Sequence, residues 1–140
     1  MTALTVDVRG FPAGTVLEVT GELDFTTVEG FHDVLRRLVL RPGQRLVIDL
    51  GGLTFCDSTG ITALLAARNV ALDAGADIAL AAVPAPTLRV LGVIGLDQVF
   101  PVHPDAGAAG VPAAPASGPP AREPEPPDSL GTMAWAGPEA

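Results

Sequence analysis

"RLVIDLGGLTFCDSTGITALLAARNVALDAG", residues 45–75, holds the two patterns whose order decides the fold. Residues 45–50 form a near-continuous apolar run with β-branched Val47 and Ile48, the composition of a strand covered on both faces. From Gly60 onward the period changes. Ile61, Leu64, Leu65 and Leu72 recur at helical spacing and the pattern stops at Gly75, so residues 60–75 predict a helix with one buried stripe. Between the two lies "TFCDSTGI", residues 54–61. Hydroxyl and acidic side chains wedged between two buried segments mark a strand-to-helix junction, the place where α/β sheets collect functional residues.

The same alternation extends in both directions. "LTVDVR" (4–9) and "TVLEVTG" (15–21) read as strands joined by a turn at Gly10, Pro12 and Gly14. "TTVEGFHDVLRRLVL" (26–40) spaces Val28, Phe31, Leu35, Leu38 and Val39 as a helix, with Thr26 or Thr27 as N-cap and Pro42–Gly43 as terminator. After residue 75 come a strand "DIALAAV" (77–83), a helix "APTLRVLGVIG" (85–95) and a short strand "QVFPV" (98–102). The order ββαβαβαβ predicts one α/β domain, a mixed sheet of four or five strands flanked by helices.

Composition limits what that domain can do. The 140 residues suffice for a single core, and 16 acidic against 8 basic residues leave a net charge of −8. Nucleic acid and anionic membrane surfaces repel such a chain, which points to protein partners. One cysteine, Cys56, permits no internal disulfide and no multi-cysteine metal site, consistent with a reducing compartment. Without a basic-then-apolar leader or a membrane-length apolar run, cytoplasmic residence is the expectation. Nine of the fourteen prolines fall after residue 103, with one arginine against five acidic residues, so residues 104–140 predict an extended, disordered, acidic tail. Its only large apolar residues beyond position 111 are Leu130, Met133 and Trp135.

At the junction, Ser58 or Thr59 near a helix N-cap has an ordinary structural reading, because their hydroxyls can accept from unpaired N–H groups, and Asp57 complements the helix dipole. Ser58 as an exposed hydroxyl at that positive end is the functional alternative. Catalysis lacks its parts: there is no "GxSxG" elbow, and the two histidines, His32 and His103, stand in a helix and at the start of the tail. Cys56 ends an apolar strand and reads as a small buried hydrophobe. Asp24, Asp49 and Asp57 lack the loop spacing of a metal site, and no phosphate-cradling "GxxxxGK" loop occurs. Neither a catalytic residue, a metal nor another cofactor is expected.

Three stretches together resemble the STAS domain of bacterial anti-sigma factor antagonists: "TGELDFTT" (20–27), "LVIDLGGLTFCDSTGITALLAA" (46–67) and "IGLDQVF" (94–100). The resemblance covers residues 3–102. It implies a serine phosphorylation site at Ser58 and a partner surface comprising Asp24, Asp57, Ser58, Thr59, Gly60 and Thr62. The implied partners are an anti-sigma factor that is also a serine kinase and a PP2C-type phosphatase, in a switch where phosphorylation of Ser58 abolishes kinase binding. Family members commonly carry Gly at the position of Thr62, and an apolar branched residue or methionine at that of Cys56. A constitutive STAS scaffold or transporter-associated subunit, with Ser58 as a simple cap, is the alternative.

Overall fold

The computed structural model describes residues 3–112. Five strands form one sheet in sequential order: β1 (Leu4–Phe11), β2 (Gly14–Leu23), β3 (Arg45–Cys56), β4 (Asp77–Ala81) and β5 (Val102–His103). β1 and β2 are an antiparallel hairpin, whereas β2–β3, β3–β4 and β4–β5 are parallel pairs. Each parallel pair is bridged by a helix: α1 (Val28–Arg37), α2 (Ser58–Asp73) and α3 (Ala85–Val93). Parallel crossovers are almost always right-handed, and three in one direction along a sheet put every helix on one face. Accordingly Phe31 and Leu35 of α1, Ile61 and Leu64 of α2 and Leu91 of α3 share one core with Leu17, Leu46, Ile48 and Leu80 of the strands. The expected mixed sheet and element order are those observed.

Strand β3 is covered on both sides, as its composition requires, but the second cover is not a helix. Val16, Val47, Ala79 and Ala81 on the far face pack against Ala109 and Val111, both buried, with Phe11 and Ala106 alongside. The chain therefore does not leave the domain at residue 104 as the proline count suggested. It folds back as a compact turn in which the Asp105 carboxylate accepts from Ala108 N–H at 2.7 Å, and Arg45 Nη1 donates to the Ala109 carbonyl at 3.1 Å. Two alanines on β4 leave the shallow seat that admits this segment. The remainder of the expected tail, 113–140, lies outside the described residues.

Three boundaries and one buried face differ from the sequence expectation. β3 continues through Gly51 and Gly52 to Cys56 and stays paired with β2 through two bulges, the first at Leu50–Gly51 and the second at Thr54. At Gly52 a Cβ would meet Thr20 Oγ1 at 2.8 Å. α1 ends at Arg37, where Leu38 turns extended (φ −68°, ψ 139°), leaving Val39 78% exposed instead of on the buried stripe. On α2 the buried residues include Gly60, Ala63, Ala67 and Ala71, while Leu72 is exposed. Residues 98–102 are not one strand: Leu96–Gln98 is a 3-10 turn and pairing begins at Val102.

Candidate functional site

The first turn of α2 leaves the sheet at the C-terminal end of β3. Asp57, not Ser58 or Thr59, is the N-cap: its backbone is extended (φ −94°, ψ −172°) and its Oδ1 accepts from Gly60 N–H at 2.9 Å. Its Oδ2 accepts from Phe25 N–H at 3.3 Å, so one carboxylate ties α2 to the loop that follows β2. Ser58 is the first helical residue and is exposed. The hydrogen bonds of this turn run through the Asp57 carboxylate and the Ser58 carbonyl, not the Ser58 hydroxyl. That carbonyl accepts from Thr62 Oγ1 at 3.0 Å, which holds Thr62 against the helix while leaving it exposed beside Ser58.

Gly60 is buried and faces inward. A Cβ there would stand 2.5 Å from the Leu23 carbonyl oxygen and 2.7 Å from Cys56 Sγ, so its role is to let α2 approach β2. Thr59 is half-buried. Of the six residues expected to meet a partner, Ser58 and Thr62 are exposed, Asp57 and Thr59 are half-buried, and Asp24 and Gly60 are buried.

Asp24 is spent within its own loop. Its Oδ1 accepts from Thr26 N–H (2.9 Å), Thr26 Oγ1 (2.6 Å) and Thr27 N–H (3.2 Å). Thr27 Oγ1 in turn donates to the Glu22 carbonyl at 2.7 Å and accepts from Asp24 N–H at 3.0 Å. Thr27 occupies the N-cap position of α1 without a side-chain cap bond, because its hydroxyl is committed to this network. The Thr26 hydroxyl and the two backbone donors hold the Asp24 carboxyl below the ordinary aspartate value, against an opposing push from burial. The loop so fixed presents Phe25, 74% exposed, next to the Asp57 cap.

Beside Ser58 runs a groove of about 560 Å³ between α2 and α3, walled by Ile61, Thr62, Leu65, Val90, Ile94 and Leu96. Val90 and Ile94 on its wall are exposed apolar side chains, and exposed Phe55 of β3 lines an adjoining depression with Val90. Sequence reasoning missed this surface. The signal was present in "LRVLGVIG", where apolar residues fall on every side of a helix that buries only Thr87 and Leu91. Cys56 borders the groove; burial, reinforced by the neighbouring Asp57 charge, pushes its thiol up to about 11. His32 is on α1 and His103 on β5, and neither lines the groove. Among the described residues no group of three His, Cys, Asp or Glu side chains is arranged to hold a metal ion. The site therefore offers an exposed hydroxyl at a helix N-terminus, beside the Asp57 carboxylate and flanked by apolar surface.

The sequence profile of the family described as "Mlab, STAS domain" matches residues 6–102. The chain belongs to the STAS domain family. This STAS domain is 29% identical over 98 residues to the anti-sigma-F factor antagonist RsfB of Mycobacterium tuberculosis, covering 70% of this chain and 80% of RsfB. Its fold is similar to the crystal structure of an anti-sigma factor antagonist from Mycobacterium paratuberculosis, with a TM-score of 0.63, 27% identity, and coverage of 76% of this chain and 91% of that one. It also resembles a sulfate transporter family protein from Wolinella succinogenes at a TM-score of 0.59 and 18% identity, covering 67% and 79% of the two chains. That last likeness is one of fold alone. In all, the family match ends before the segment 105–111 that closes the far face of the STAS sheet. Among the described residues, no helix is long and apolar enough to cross a membrane.

Proposed function

We propose that this STAS domain is an anti-sigma factor antagonist that binds an anti-sigma factor serine kinase, and that phosphorylation of Ser58 breaks the complex until a PP2C-type phosphatase restores it. The relatives named as antagonists support the role. The observation that carries the switch is the division of labour at the α2 N-terminus: Asp57 supplies the cap, so the exposed Ser58 hydroxyl is not needed to hold the helix. Modification can then change binding without unfolding the site.

Charge supplies the mechanism. A phosphoryl group adds about −1.5 to −2 charge at neutral pH, directly beside the Asp57 carboxylate on a chain of net charge −8. The N–H groups of the first helical turn lack intrahelical acceptors and offset part of that repulsion, by about 0.3–1 kcal/mol at an exposed position. Docking is less tolerant. A partner surface complementary to a neutral hydroxyl and to the apolar side chains around it would have to desolvate the phosphate unpaired, and each 1.4 kcal/mol or so of that cost weakens binding tenfold.

The test is direct. Incubated with ATP and its cognate kinase, the protein should gain one phosphate by mass spectrometry, and Ser58→Ala should gain none. Ser58→Asp should lose about tenfold or more in kinase affinity with an unchanged far-UV circular dichroism spectrum. A chain that is never phosphorylated, or that binds equally well as Ser58→Asp, would instead fit a constitutive scaffold.

A further inference from the structure

The α2–α3 groove is apolar, with Asp57 the one charged residue lining it. Whatever covers it must bring apolar side chains and no additional negative charge. Beyond Val111 the chain has three large apolar residues, Leu130, Met133 and Trp135, and they fall together in "SLGTMAWAGP", residues 129–138. That stretch has no charged residue, although Glu123, Glu125 and Asp128 precede it and Glu139 follows. The described chain ends at Pro112, on the sheet face away from the helices. The 16 connecting residues, 113–128, have a maximum covalent reach of roughly 55 Å, whatever their conformation. A domain of this size has a radius of gyration of about 13 Å, so that length passes round the sheet edge to the groove.

We propose that residues 129–138 of the same chain dock in the groove between α2 and α3, with Trp135 as the anchor. A tryptophan supplies the largest apolar area of any side chain with only two rotatable bonds to fix. The tether raises the local concentration of the segment to the order of millimolar, so even a weak groove fills in cis. Ser58 and Thr62 line the same groove, so the docked segment shields the serine; the regulatory consequence, competition with a kinase, rests on the reading of Ser58 as the switch.

Trp135 is the only tryptophan and the chain has no tyrosine, which makes its fluorescence a direct readout in the full-length protein. Docking predicts an emission maximum shifted to the blue of a synthetic 123–140 peptide, reduced acrylamide quenching, and no dependence on protein concentration. Ile94→Asp, on the groove wall, should return both signals to those of the peptide. Val93→Asp, a neighbouring residue 82% exposed and outside the groove lining, should change neither. Circular dichroism of both variants verifies that the domain is folded. Peptide-like emission from the native chain overturns the proposal, as does a blue shift that survives Ile94→Asp. A shift that appears only on concentration also overturns it, in favour of docking between copies. Since no kinase is involved, the result is independent of whether Ser58 is phosphorylated; a faster phosphorylation of Trp135→Ala than of the native chain reads the regulatory consequence separately.

Discussion

Asp24 and Asp57 come from separate loops and do different work at one junction. Asp57 caps α2 and reaches the Phe25 amide, while Asp24 closes the loop that presents Phe25. Because the Asp24 carboxyl titrates below its unfolded value, its contribution to stability is fully present above about pH 4 and is lost as pH falls through the folded value. Denaturant titrations at a series of pH values should therefore show Asp24→Asn least stable relative to the native chain near neutrality, with the gap closing as the medium is acidified below the ordinary aspartate value. Cys56 gives the complementary case. With its thiol raised to about 11, alkylation by iodoacetamide should be slow at neutral pH and climb steadily until the medium nears that value; a reactive thiolate at pH 7 would contradict the burial described. Both carboxylates and Cys56 were visible in the sequence as residues of interest. Which of Asp57, Ser58 and Thr59 held the cap was not, since all three types favour that position and one residue of boundary shift exchanges their roles.

At the level of single elements, α2 is defined by small residues as much as by large ones. Leucine spacing placed the helix correctly but assigned Leu72 to its buried side; the inward face is built from Gly60, Ala63, Ala67 and Ala71, with Ile61 and Leu64 beside them. Gly60→Ala should destabilise the domain by about 1–3 kcal/mol, since the new methyl group meets the Leu23 backbone oxygen, which cannot turn aside, and this exceeds the gain of at most about 1 kcal/mol from replacing a helical glycine. Gly30 in α1 has nothing within 4 Å of where a Cβ would stand, so Gly30→Ala should stabilise by about 0.5–1 kcal/mol. Urea unfolding midpoints of the two variants, moving in opposite directions, check both statements. The early end of α1 and the extension of β3 share one cause: hydrophobic spacing identifies a segment, whereas pairing with neighbours determines how far it runs.

For the whole molecule, the decisive feature is the asymmetry of the sheet, with three helices on one face and the turn at 105–111 on the other. A chain stopped after His103 would expose Val16, Val47, Ala79 and Ala81 and lose the burial of Ala109 and Val111. Relative to a chain stopped after Pro112 it should be less stable by about 2–3 kcal/mol and bind more of a hydrophobic dye such as ANS; thermal melts of the two truncations decide this. The sequence by itself determined the order of elements, the single domain, the strand-to-helix junction and the STAS resemblance, because those depend on local periodicity and on short contiguous motifs. Tertiary structure alone decided that Asp57 rather than Ser58 caps α2, that Gly60 is a packing residue, that Val90 and Ile94 line one groove with the serine, and that a proline-flanked segment covers the back of the sheet. Each of these depends on contacts between residues far apart in the chain, and a hydrophobic pattern records that a side chain wants burial without recording what will bury it.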